Sequence, residues 1–177
     1  MNIWHDIRPE RIKPRDFEAV IEISKYSKNK YELDKETGIL RLDRILYTST
    51  HYPANYGFIP RTYADDNDPL DVLVLCSEPI VPMALVRCYP IGYIAMTDQG
   101  KVDIKILAIP FKDPNWNIYQ DVDELPQHIV NEMRHFFKVY KELEGKEMQV
   151  LEIHDRTDAE NVIRDNIEQY KLKFKVK

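Results

Sequence analysis

Residues 65–71 read Asp65-Asp66-Asn67-Asp68-Pro69-Leu70-Asp71, and the apolar run Val72-Leu73-Val74 follows at once. Carboxylates packed this closely repel one another unless cations stand among them. An ionised Asp71 set against an apolar strand is costly without a partner. Pro69 stiffens the turn, so Asp66, Asp68 and Asp71 form one fixed group of hard oxygen donors, the kind that suits Mg2+ or Mn2+. A calcium-binding loop would need Gly at its sixth position and Glu at its twelfth; counted from Asp66, those positions hold Asp71 and Ser77. The plain alternative is a solvated acidic turn ahead of a strand, and the placement of Asp71 speaks against it.

Other charged residues repeat the theme. Asp98 lies in the turn Thr97-Asp98-Gln99-Gly100, and Asp103 and Lys105, two apart on the following strand, share a face. Glu22 sits inside the short apolar strand Val20-Ile21-Glu22-Ile23. Lys30 and Glu32 share another strand face, Arg44 follows Asp43, and Tyr140-Lys141 closes a helical stripe. Tyr52 and Tyr56 fall in a stretch broken by Pro53 and Gly57, which reads as an ordered loop. Singly, each of these is ordinary strand alternation, a surface charge or core packing. Together they offer carboxylates from several strands with cations beside them. That is what a phosphate-bearing substrate needs, since Arg supplies a bidentate fork and Lys a point charge.

The 177 residues suit a single domain, 1–177. Short strands are expected at Val20–Ile23, Lys30–Leu33, Leu40–Leu46, Asp71–Leu75, Leu85–Ile94 and Val102–Ile109, with one more at Met148–Ile153. A helix with a continuous apolar stripe is expected from about Glu124 to Glu144, with Asp123 as N-cap and Gly145 as its stop. A second is expected to start at the capping-box pattern Thr157-Asp158-Ala159-Glu160. The sum is a mainly β chain with flanking helices, its strands arranged as a barrel or sandwich. His128, Glu132 and His135 share a helix face, read as a polar surface at a subunit contact rather than a transition-metal site. The basic Lys171–Lys177 run reads as a solvated or edge-strand tail.

Lys plus Arg total 25 and Asp plus Glu 30, a net charge of −5, so the chain has no overall pull on nucleic acid. Cys76 and Cys88 are too few for a disulfide scaffold, and no Cys-x-x-Cys pair marks a zinc site. The first residues lack a signal-peptide pattern, and no apolar run approaches the roughly 20 residues of a membrane helix. A cytoplasmic protein with reduced thiols and no membrane partner is expected. No phosphate-binding glycine loop or Gly-x-Ser-x-Gly elbow is present. Three rivals stand beside this reading: a barrel that binds oligonucleotides by stacking on Tyr52 and Tyr56, a metal-dependent phosphatase acting on nucleotides or phosphomonoesters, and a structural barrel with an incidental cation, which leaves the Lys/Glu and Asp/Lys pairs unexplained.

The run Asp66-Asn67-Asp68-Pro69-Leu70-Asp71-Val72 resembles the D-x-D-P-x-D signature of the soluble family I inorganic pyrophosphatases. Glu22, Lys30-Tyr31-Glu32, Asp43-Arg44, Tyr52-Pro53, Asn55-Tyr56-Gly57, Met96-Thr97-Asp98, Asp103-x-Lys105, His135-Phe136-Phe137 and Tyr140-Lys141 follow that family's order over about residues 18 to 145. The resemblance implies a five-stranded OB-like closed barrel that hydrolyses pyrophosphate with several Mg2+ ions, Mn2+ or Zn2+ being substitutes. It implies that Asp66, Asp71 and Asp103 hold the first metal, that Asp71 is shared with a second, and that Glu22, Asp98 and Asp103 serve metals arriving with substrate. Asp68 would be the general base. Lys30, Arg44, Tyr140 and Lys141 would bind the phosphates, and Glu32, Tyr52, Tyr56 and Lys105 would line the site. A homohexamer is implied as well, with His135 near a subunit contact. Gln99 stands where the family carries Glu, and is expected to be an outer residue rather than a ligand; Val139 stands where some members have a second His.

Overall fold

Five strands close on themselves. In the computed structural model, which describes residues 1–176 (position 151 by its backbone alone), β1 (Ile12–Lys13) and β2 (Asp16–Ile23) open the main sheet. It continues with β5 (Asn55–Ile59), β6 (Leu70–Val74), β7 (Leu85–Asp98), β8 (Lys101–Pro110) and β9 (Met148–Asp155). The order is β1-β2-β5-β6-β8-β7-β9, and β2 also pairs with β7, which shuts β2, β5, β6, β8 and β7 into a ring. Within it only β6 and β8 run parallel, with Asp71 opposite Lys105. A separate hairpin, β3 (Asn29–Leu33) and β4 (Leu40–Ile45), sets Lys30 opposite Arg44. This closed ring of five strands in a mainly β chain is the architecture the resemblance implied.

Strand alternation explains why β6 and β8 read as continuous apolar runs, because both faces are covered. Val72, Val74, Ile106 and Ala108 join Phe17, Ile21 and Ile59 in a core closed by Ala159 and Ile163 of α3 (Arg156–Phe174). Leu73, Leu107 and Ile109 face the other way, into a core under Met133, Phe136 and Phe137 of α2 (Gln127–Val139). Asp71, Asp103 and Lys105 have the same parity as Leu73 and Leu107. The period that builds this second core therefore delivers three charges to its open end.

Several expectations change. Helix α2 is shorter than Glu124–Glu144. Pro126 occupies its N-cap without a side-chain bond, and Asp123 lies in a separate 3-10 turn, Val122–Glu124. The chain leaves the α-helix at Tyr140, and Glu142–Glu144 form a 3-10 turn stopped by Gly145 at φ +74°. Helix α3 starts earlier than expected, because Asp155 is the cap and accepts from the Asp158 amide at 3.0 Å. The basic run is solvated, as one of the two readings had it, but it is not an edge strand: α3 continues to Phe174, and Lys177 lies outside the described residues. Strand β7 passes through Pro90 and Gly92 by a bulge and continues to Asp98. The segment read as a loop is in part strand β5. Its Asn55 is fully buried, accepting from the Lys25 and Ile80 amides and donating to the Glu78 carbonyl. A short helix α1 (Ile3–Asp6) was not foreseen.

Gly57 shows why β5 is hard to read as a strand. A Cβ there would lie 1.8 Å from the Val20 carbonyl oxygen of the neighbouring strand, so no other residue lets β2 and β5 come this close. Gly57→Ala is expected to destabilise the chain by about 3 kcal/mol or more. Chemical denaturation checks this, and an unchanged midpoint would show that the two strands have room to spare.

Candidate active site

The acidic turn is fixed by its own backbone. The Asp68 amide donates to Asp66 Oδ1 at 3.1 Å, the Ala64 amide donates to the Asp68 carbonyl at 2.8 Å, and Asn67 takes a left-handed φ of +67°. The Leu70 amide is held by Thr62 Oγ1 at 2.8 Å, which anchors the start of β6. The turn opens onto a pocket of about 230 Å3. Asp66, Asp68, Asp71, Asp103 and Glu22 line it together with Lys30, Glu32, Tyr56, Lys105, Tyr140 and Lys141. Eleven of the fourteen site residues expected from sequence therefore meet in one place.

Three stand off its wall. Tyr52 is only 1 % exposed and packs behind the pocket, its ring 5.3 Å from Tyr56 and 4.7 Å from Phe136, so it supports the lining without belonging to it. Asp98, at the end of β7, reaches the pocket through Lys141, whose Nζ lies 2.8 Å from Asp98 Oδ2. Arg44 lies across the hairpin ladder from Lys30, held by Asp43 Oδ2 at 2.5 Å and Glu144 Oε1 at 2.7 Å. Burial alone would depress the guanidinium pKa, but these two carboxylates outweigh it and raise it. Gln99 is exposed in the hairpin turn at φ +51°, in keeping with an outer residue.

Lys105 holds the centre. It is 3 % exposed, and its ammonium donates to Asp71 Oδ2 at 2.9 Å, Asp103 Oδ2 at 3.1 Å and Tyr56 Oη at 2.9 Å. Burial pushes its pKa down, yet Asp71, Tyr56 and Asp103 together keep it well above the usual lysine value. Burial also raises Asp103, with Lys105 opposing and Asp71 adding to the rise. Burial drives the Tyr56 and Tyr140 phenols up, so both stay protonated as hydrogen-bond donors. Lys30 pairs with Glu32, and Lys35, which the sequence did not single out, pairs with Asp68. Glu144 was also missed; both residues pass for surface charges in the sequence, and only the turns that carry them bring them inward.

Lysines thus stand between the acids, and among the described residues no three carboxylates, imidazoles or thiolates form a ready-made metal cluster. The donor set still fits hard divalent cations. Asp98 Oδ1 is buried without a hydrogen-bond partner, and Glu22 is buried with no ion pair of its own. Carboxylates on the floor, with lysines between and around them, define the class: a site for a small polyanion and the divalent cations that neutralise it.

A profile of the inorganic pyrophosphatase family matches residues 19–171. The chain is 46 % identical over 167 residues to soluble inorganic pyrophosphatase 2 of Chlamydomonas reinhardtii, covering 94 % of this chain and 87 % of that one. Against a soluble inorganic pyrophosphatase of Solanum tuberosum the identity is 48 %, with 94 % and 79 % covered. The solved inorganic pyrophosphatase of Thermus thermophilus superposes with a TM-score of 0.92 at 36 % identity, covering 97 % of this chain and 99 % of that one. The chain belongs to the inorganic pyrophosphatase family and is an inorganic diphosphatase.

Glu22 gives the site a pH signature in the metal-free protein. Burial, then the Asp71 charge, pushes its carboxyl from 4.5 up to about 8, with Lys30 opposing. The folded pKa exceeds the unfolded one, so its contribution to stability is complete below about 4.5 and is lost as pH rises to about 8. In chelator, Glu22→Gln should be more stable than the parent at pH 8, by about 4 kcal/mol, and level with it at pH 4.5. Equal melting at both pH values would show that Glu22 is ionised at no cost.

Proposed function

We propose that this chain hydrolyses pyrophosphate to two orthophosphates with divalent cations, Mg2+ first, with Mn2+ or Zn2+ as substitutes. Asp66, Asp71 and Asp103 would hold the resident ion, with Asp71 shared with a second, and Glu22, Asp98 and Asp103 would receive those arriving with substrate. Such cations, once bound, neutralise phosphate charge and make water more acidic. Asp68 is the general base. Its carboxylate takes a proton from the attacking water, the water oxygen bonds to phosphorus, and the bridging P–O bond breaks in line with the attack.

Lys30, Arg44 and Lys141 meet the charge that develops on the departing phosphate, and the Tyr140 hydroxyl donates without adding charge. Lys105 and Tyr56 hold Asp71 and Asp103 apart on the floor, while Glu32 steadies Lys30. The observation that carries this reading is the convergence of Glu22, Asp66, Asp68, Asp71, Asp103 and four lysines on one pocket from separate strands and turns.

Hexameric assembly and cytoplasmic residence belong to the same proposal. The first is supported by a mostly apolar groove of about 400 Å3 between α2 and residues 49–53, where His51, His128 and His135 sit at the surface. The second is supported by two unpaired cysteines.

Phosphate release from pyrophosphate, with and without Mg2+, tests the activity, with ATP and a phosphomonoester as competing substrates. Asp68→Asn is expected to keep Mg2+ binding by calorimetry while losing about 100-fold or more in turnover near neutral pH. Undiminished turnover refutes the base assignment. Asp71→Asn should weaken Mg2+ binding about tenfold or more, and an unchanged titration would remove Asp71 from the ligand set.

A further inference from the structure

The acidic turn has a neighbour that the proposed chemistry does not use. Lys35, in the turn between β3 and β4, lines the same pocket and forms an ion pair with Asp68 Oδ1. A half-exposed ion pair is by itself weak, and a free lysine would wander. This one is held at three points. Its backbone carbonyl accepts from Asn2 Nδ2 at 2.9 Å. Its ammonium lies 5.6 Å from the centre of the Trp4 ring. Its third partner is Asp68 itself.

The support beneath it is rigid. The Trp4 amide donates to Asn2 Oδ1 at 3.1 Å, and the indole N–H donates to the Thr62 carbonyl at 2.9 Å. The turn that carries Lys35 presses on this N-terminal segment closely enough that a Cβ at Gly38 would lie 2.2 Å from the Met1 carbonyl oxygen. Thr62 also anchors the start of β6 through the Leu70 amide. Asp68 and the indole under Lys35 are therefore referenced to the same residue.

We propose that Lys35 is a positioning residue for Asp68: seated on Trp4, it holds the carboxylate in one orientation above the pocket floor. This rests on the assignment of Asp68 as the base. A carboxylate on a loop has rotamers that point away from the attacking water, and a fixed ammonium on one oxygen removes them, leaving the other oxygen to face the pocket. Positioning of this kind acts on turnover rather than on substrate capture.

The test is a double-mutant cycle on the Mg2+-loaded enzyme with pyrophosphate. Lys35→Ala is expected to lower kcat about tenfold with KM changed less than about twofold, and Lys35→Arg to recover most of the loss. In an Asp68→Asn background, Lys35→Ala should add no further loss. A rise in KM at unchanged kcat would make Lys35 a substrate cation and overturn the proposal; so would losses that multiply in the double variant, or full activity of Lys35→Ala. Failure of the underlying assignment is distinguishable, because it shows as undiminished turnover of Asp68→Asn alone. Lys35 is exposed, so its variants are expected to melt with the parent, and this is checked alongside the kinetics.

Discussion

Mutual repulsion among carboxylates is the constraint this structure answers. Asp71 and Asp103 face the same pocket from strands β6 and β8, and one buried ammonium, that of Lys105, stands between them at 2.9 and 3.1 Å. Removing one partner of a buried pair typically costs about 3–5 kcal/mol, because the other charge is left uncompensated. The arrangement depends on the one parallel ladder in the ring, which places Asp71 opposite Lys105. Closing the ring through β2 and β7 fixes that ladder, and the core under α2 covers its apolar continuation. The polar site and the hydrophobic core are thus two ends of one strand face.

Around this centre the other charges fall into pairs: Lys30 with Glu32, Lys141 with Asp98, Arg44 with Asp43 and Glu144. Glu22, buried among them, has no such partner among the described residues. Polar atoms of Arg44, Asp98 and Glu144 also remain buried without partners. On the proposed function, phosphate oxygens and divalent cations supply those partners, each satisfying groups that the folded chain satisfies only in part. Protein interiors rarely leave such atoms unpaired, and functional sites are where they do.

Much of the site was legible in the sequence because charge inside apolar strands is conspicuous. Glu22 in its Val-Ile-Glu-Ile run and Asp71 ahead of Val72 announce themselves, and the two-residue period pairs Asp103 with Lys105. The strands read well wherever β-branched residues dominate. What escaped depended on contacts between distant segments. Strand β5 was hidden because Asn55 and Gly57 break the apolar pattern, one to bond neighbouring backbone and the other to admit the Val20 carbonyl. The end of α2 was overrun because its apolar stripe continues through Leu143 while the backbone does not. Lys35 and Glu144 look like ordinary surface charges until the turns carrying them are folded, and the seat of Tyr52 behind the pocket is a matter of packing that no local pattern encodes.

The stop after α2 has a consequence for how this region can vary. Lys141 follows the last helical turn directly, and Glu144 lies three residues on, within the short turn that Gly145 ends. A helix advances about 100° per residue. One amino acid inserted or deleted within the last turns of α2 would therefore rotate the Lys141 ammonium to another side of the helix and draw Glu144 away from Arg44. Side chains on the outer surface of this segment are free to drift, whereas its length is not.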